Sequence, residues 1–168
     1  MIVMGVDPGL SSTGYGVLEA CESRLKALGF GQINTPPGKP MSERLAIIYG
    51  GIKELILSYR PELVVVEEIF WGSNAKSAMA VGHSRGAVLL AAAHCGVGVE
   101  EYTPLQVKYA LVGNGRAEKR QVLYMVKALL GLEEEIGSSH AGDALALAIC
   151  HVHHSGPGAG RMARAGRA

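Results

Sequence analysis

The chain alternates between short unbroken apolar runs and longer stretches in which apolar residues recur every three or four positions. The run from Ile2 to Val6 has no polar face and predicts a buried strand over residues 2–7, ending at Asp7. Pro8-Gly9-Leu10-Ser11-Ser12 is a turn. Thr13 to Ala20 predicts a second strand, with Gly14 and Gly16 permitting close approach of another backbone. Leu25 to Asn34 is a third, and the short connections predict an antiparallel meander. After a loop marked by Pro36, Pro37, Gly38 and Pro40, Ser42 is the expected cap of a helix to about Tyr59, with Leu45, Ile48, Ile52, Leu55 and Ile56 on one face. Leu63 to Glu67 is apolar on both sides, which predicts a central parallel strand. A helix from about Ser73 to Cys95 and a last strand from Val97 to Tyr102 follow. Pro104 opens a helix at its first position, and Gly113-Asn114-Gly115 breaks it. Two more helices run from Ala117 to Leu130 and from Ser138 to His153, the latter capped by Ser138 or Ser139. The order predicts an α/β fold, a mixed five-stranded sheet flanked by helices, in one domain over residues 1–154.

Composition narrows the setting. With 48% hydrophobic and 18% charged residues, the body of the chain is not disordered. The longest apolar stretch, Ala87 to Val99, is interrupted by His94 and two glycines and is too short to span a bilayer. The start of the chain lacks the pattern of a signal peptide, and Cys21, Cys95 and Cys150 lack CxxC spacing, so a reducing cytoplasm is the expected setting. Net charge is +1, but it is uneven: residues 155–168 add Arg161, Arg164 and Arg167, no acid and several glycines. They predict a basic disordered tail, either solubilising or in contact with nucleic acid.

Two aspartates occur in the chain, Asp7 and Asp143, and both interrupt apolar elements. Glu67 likewise ends the run Leu63 to Val66. A carboxylate on a buried element costs free energy unless its charge is compensated, so three such acids suggest a shared cation. Hard divalent ions take oxygen ligands from different elements, and a pair of them can activate water and stabilise a leaving oxygen in phosphodiester cleavage. His140 lies three residues before Asp143, on the same helical face, and is a candidate fourth ligand. The alternatives are a turn-capping role for Asp7, a helix-dipole partner in Asp143 and a solvated or capping His140. Strand parity does not choose between Glu67 and Glu68, because both faces of the strand are apolar.

Lys108, Arg116, Lys119 and Arg120 surround the Gly113–Gly115 turn and are candidates for phosphate contacts, the alternative being a solvated helix face. Cys150-His151-Val152-His153-His154 resembles a soft-metal cluster, but no second ligand pair accompanies it, and a frayed helix end is the preferred reading.

Five ordered blocks carry a resemblance. They are Val6-Asp7-Pro8-Gly9 with Thr13-Gly14-Tyr15-Gly16-Val17, Val66-Glu67-Glu68-Ile69-Phe70, Gln106-Val107-Lys108, Ala117-Glu118-Lys119, and His140-Ala141-Gly142-Asp143-Ala144-Leu145-Ala146. Together they resemble the RuvC Holliday junction resolvases from residue 2 to about 153. The resemblance implies a ribonuclease H-like fold, a homodimer, and nicking of four-way DNA junctions with two divalent ions per subunit, Mg²⁺ or Mn²⁺. It implies metal ligation by Asp7, Glu67 and Asp143, and so selects Glu67 over Glu68. Many members have aspartate at the position of His140, which leads us to expect higher activity with Mn²⁺ than with Mg²⁺ and loss of activity as pH falls through about 6.5. The resemblance also implies DNA contacts from Lys108 and Lys119 and stacking of Phe70 on an unpaired base, with Trp71 beside it. It implies a dimer interface on the helix bearing Gly82 and Gly86, and a branch-migration helicase as partner. The rival reading is an actin-like ATP-binding fold, whose phosphate loop also carries Asp-x-Gly, but that fold needs two duplicated domains and 168 residues hold one.

Overall fold

The computed structural model describes residues 1–21, 24–68, 75–133 and 135–155. Five strands form one sheet: β1 (Ile2–Asp7), β2 (Ser12–Cys21), β3 (Arg24–Asn34), β4 (Leu63–Glu67) and β5 (Gly98–Tyr102), in the spatial order β3-β2-β1-β4-β5. β1, β2 and β3 make the predicted antiparallel meander, while β4 lies parallel to β1 and β5 parallel to β4. The expected mixed sheet of an α/β fold is therefore present. Five helices flank it: α1 (Met41–Tyr59), α2 (Ala75–His94), α3 (Pro104–Val112), α4 (Lys119–Leu130) and α5 (Ser139–Ser155).

Side-chain alternation along β1 and β4 splits the core into two layers. Met4, Val6, Val64 and Val66 point to one face and pack with Ile48, Ile52 and Ile56 of α1 and Val88, Ala91 and Ala92 of α2. Val3 and Val65 point to the other, against α5 and, beyond it, Val107, Leu111, Val122 and Val126 of α3 and α4. All of these strand side chains are fully buried.

Ser42 is not the cap of α1. Pro40, already extended, occupies the capping position without a side-chain bond, so the helix starts at Met41 and takes Ser42 into its first turn. α4 starts two residues later than predicted, because Glu118 caps it by a reciprocal box with Gln121. α5 runs through Ser155, one residue beyond the domain boundary set at 154. Its first intrahelical bond, from Gly142 N–H, ends on Ser138 O, and the Ser138 hydroxyl donates to Gln32 Oε1 of β3 at 2.5 Å. The expectations for Phe70, Trp71, Ser73 and the tail from residue 156 fall outside the described residues. Among those described, no helix is long and apolar enough to cross a membrane.

Candidate functional site

The alternation that sorts the core also aims the acids. Val3 and Gly5 face α5, so Asp7 does too; Val65 faces α5, so Glu67 follows it. Val6 pairs with Val66, which sets Asp7 and Glu67 side by side at the carboxyl ends of adjacent parallel strands. Ligands of open α/β sheets bind in such crevices.

Three glycines bring the last helix down onto this strand end. A Cβ at Gly14, the partner of Asp7 across the β1–β2 ladder, would lie 2.1 Å from His140 O. One at Gly5 would overlap Ala144 O, and one at Gly16 would lie 2.7 Å from the Leu145 side chain. No side chain can occupy those positions without lifting α5. The backbone of α5 therefore rests on the sheet at His140 and at Ala144, on either side of Asp143. Ala141, Gly142, Ala144, Ala146 and Ala148 keep the helix thin on its own side.

Asp7, Glu67 and Asp143 line one cleft of about 280 Å³, together with Lys108, Lys119, Pro104, Val107 and Val122. An ionised Asp7 can only accept, so His140 Nδ1–H donates to its Oδ2 at 2.7 Å. Lys119 Nζ donates to Asp143 Oδ2 at 2.5 Å. Glu67 has no such partner among the described residues. Burial, and then the charges of Asp7 and Asp143, push its carboxyl up to about 7, with Lys119 opposing. Burial also raises Asp7, against the pull of its His140 hydrogen bond, and Asp143 adds to the rise.

The donor set suits a hard divalent cation: three carboxylates on one cleft, held by three elements, with an ammonium already drawn to one of them. Among the described residues, no three His, Cys, Asp or Glu side chains are gathered tightly enough to close on an ion. Three of the four candidates are engaged, Asp7 and His140 with each other and Asp143 with Lys119, and His140 is not among the residues lining the cleft.

The other expected residues separate into groups. Lys108 and Lys119 both line the cleft. Arg116 does not: it sits on the turn between α3 and α4, where its backbone N–H donates to Asn114 Oδ1. Arg120 lies in a different groove, with Val112, Gln121, Tyr124 and Met125. A Cβ at Gly82 or Gly86 would meet nothing, so neither glycine serves packing inside this protomer. The end of α5 is not frayed as expected: His154 bonds to Cys150 O within the helix, while His151 meets the Tyr102 hydroxyl of β5 and His153 meets Ala110 O of α3, so these histidines tie the helix down. The sequence reading missed the contacts Lys119–Asp143 and His140–Asp7. One sign of the first was available: a lysine at the first position of a helix opposes the helix dipole and needs a reason to be there.

A sequence model of the family "Crossover junction endodeoxyribonuclease RuvC" matches residues 3–151. The crossover junction endodeoxyribonuclease RuvC of Moorella thermoacetica is 52% identical over 152 residues, covering 90% of this chain and 91% of that one. RuvC of Thermus thermophilus, solved in complex with a Holliday junction substrate, superposes with a TM-score of 0.87 at 41% identity, covering 92% of this chain and 94% of that chain. The yeast mitochondrial Holliday junction resolvase Ydc2 shares the fold at 13% identity, with a TM-score of 0.67 over 90% of this chain and 77% of the other.

Proposed function

This chain belongs to the RuvC family of crossover junction endodeoxyribonucleases, and on that premise we propose that the Asp7–Glu67–Asp143 cleft is where it cuts DNA. It is a nuclease that hydrolyses phosphodiester bonds of Holliday junctions in recombination and repair, with divalent metal as in the family generally. The observation that carries the site is the convergence of three carboxylates from β1, β4 and α5 on one cleft that also holds Lys108 and Lys119.

In this reading Asp7, Glu67 and Asp143 hold two divalent ions, Mg²⁺ or Mn²⁺, and His140 is the fourth member of the set. When bound, such ions supply the charge that activates a water and stabilises the departing oxygen. Glu67 must give up its proton to take part, and its raised pKa makes that cost greatest below about pH 7. His140 steadies Asp7 through Nδ1. The Pro104, Val107 and Val122 side chains wall the cleft and limit water around the acids. Lys108 and Lys119 hold the phosphate, a sequence-independent contact, and Phe70 stacks on an unpaired base at the opened junction.

The protein works as a homodimer that makes paired symmetric nicks. Support comes from the exposed strip of α2, where Gly82 and Gly86 meet nothing within the protomer and Met79 and Leu90 are half-exposed. An isologous pairing there presents two identical clefts to two strands. We further propose a cytoplasmic location and a branch-migration helicase as partner.

The test is cleavage of a labelled four-way junction, with a linear duplex of the same sequence as control, in Mg²⁺, Mn²⁺ or EDTA. Symmetric nicks confined to the junction and to the metal-containing reactions are expected. Cleavage in EDTA, or equal cutting of the duplex, overturns the reading.

A further inference from the structure

We propose that Lys119 is a built-in counter-ion: it occupies the cation position at Asp143 while DNA is absent and leaves it for a backbone phosphate when a junction binds. The inference rests on the reading of Asp143 as a metal ligand.

Four observations carry it. The ammonium is 2.5 Å from Asp143 Oδ2, a short charge-assisted contact. Lys119 is the first residue of α4, where the helix dipole disfavours a cation and no acid shares the first turn. The Glu118–Gln121 capping box pins the backbone there, so what draws the ammonium inward is the carboxylate and not the fold. The Lys119 side chain is 54% exposed and that of Asp143 34%, which leaves the ammonium free to swing toward the cleft mouth.

Lys108 makes the contrast. It lines the same cleft, yet among the described residues it makes no ion pair. One lysine is ready for phosphate at all times, and the other becomes available only when Asp143 finds a different cation. A divalent ion binding the DNA-free protein must displace the ammonium, and a phosphate that attracts the ammonium frees Asp143. Metal and junction then assist each other by the same factor, because linkage is reciprocal.

The experiment measures Mn²⁺ binding to the full-length, DNA-free protein by paramagnetic resonance of the unbound ion. Lys119→Gln is expected to bind Mn²⁺ roughly three- to tenfold tighter than the wild type. Lys119→Arg, which keeps a cation at the position, should stay near the wild type. Lys108→Gln should shift affinity less than Lys119→Gln does. A junction with non-hydrolysable linkages at its crossover should tighten Mn²⁺ binding in the wild type by a larger factor than in Lys119→Gln. If Lys119→Gln binds Mn²⁺ no more tightly than Lys108→Gln, while Asp143→Asn loses binding, the counter-ion role is overturned and the metal reading stands. If Asp143→Asn binds Mn²⁺ as the wild type does, the metal reading fails and the counter-ion role with it.

Discussion

The two faces of the sheet are built on opposite rules. Toward α1 and α2, β1 offers Met4 and Val6 and β4 offers Val64 and Val66, all fully buried against isoleucines and valines. Toward α5, β1 offers Val3, Gly5 and Asp7, and two of those three contribute no apolar side chain. On the first face large side chains hold helix and sheet apart and gain from burial. On the second, glycines remove the spacers until helix backbone touches strand backbone. A short aspartate on α5 can reach the end of β1 only because of that approach. One face is arranged for burial and the other for position.

Four experiments sharpen or break this contrast. The largest effect should come from Asp7→Asn. Cleavage is expected to fall by about a thousandfold, ~4 kcal/mol of barrier, while junction binding persists because basic groups supply the affinity. Near-normal cleavage would place the chemistry elsewhere.

Next is Gly5→Ala, whose added methyl overlaps Ala144 O, a backbone atom that cannot rotate aside. Overpacking of this kind should cost about 3 kcal/mol in denaturant unfolding and abolish cleavage. Ile52→Val on the other face should cost only about 1 kcal/mol and leave cleavage intact. Similar losses for the two would end the distinction between faces.

The third concerns pH in the metal-free protein. Glu67 has a folded pKa of about 7 against an ordinary 4.5, so the folded state binds more protons between those values. Stability should therefore be fully present below about pH 4.5 and decline as pH rises through about 7. After allowance for solvent screening the change is about 1–2 kcal/mol. Melting in EDTA at pH 5 and pH 8 reads it directly, and Glu67→Gln should flatten the difference. A wild type that gains stability over that interval would contradict the repulsion described at the strand ends.

The smallest effect on folding should come from Gly86→Glu. Its side chain enters open space, and loss of a helical glycine should raise protomer stability by roughly 0.5 kcal/mol. Light scattering should nonetheless show monomers, because the charge separates two close helices. A persistent dimer would remove Gly86 from the interface.

Much of the frame was legible because each element states its period locally. The meander, the parallel central strand and the helix opened by Pro104 follow from runs of neighbouring residues. Gly14 and Gly16 could be read as places of backbone approach, since glycine inside a strand has few other reasons to be there. The choice between Glu67 and Glu68 could not be read from parity. Both faces of β4 are apolar, and parity acquires meaning only once α5 is known to cover the Val65 side. The pairings His140–Asp7 and Lys119–Asp143 were hidden for a different reason: they join residues brought together by tertiary packing, and the place of Lys119 at a helix start hints at a partner without identifying it. Arg116 shows the converse. It lies only three residues before Lys119, yet it sits on the turn and does not line the cleft. Ser42 lost its capping role to a proline two positions earlier that already had the required extended backbone.

The His140–Asp7 contact spans 133 positions. Ribosomes add about 5–20 residues per second, so Asp7 and Glu67 exist for on the order of ten seconds before α5 has been made. During that interval the growing chain carries two thirds of a set of acids and has no means of bringing them together with the third. Under the proposed reading the set is completed only when α5 settles on Gly5, Gly14 and Gly16. A chain stopped before residue 140 would lack both His140 and Asp143, and on that reading it should show no cleavage in the junction assay.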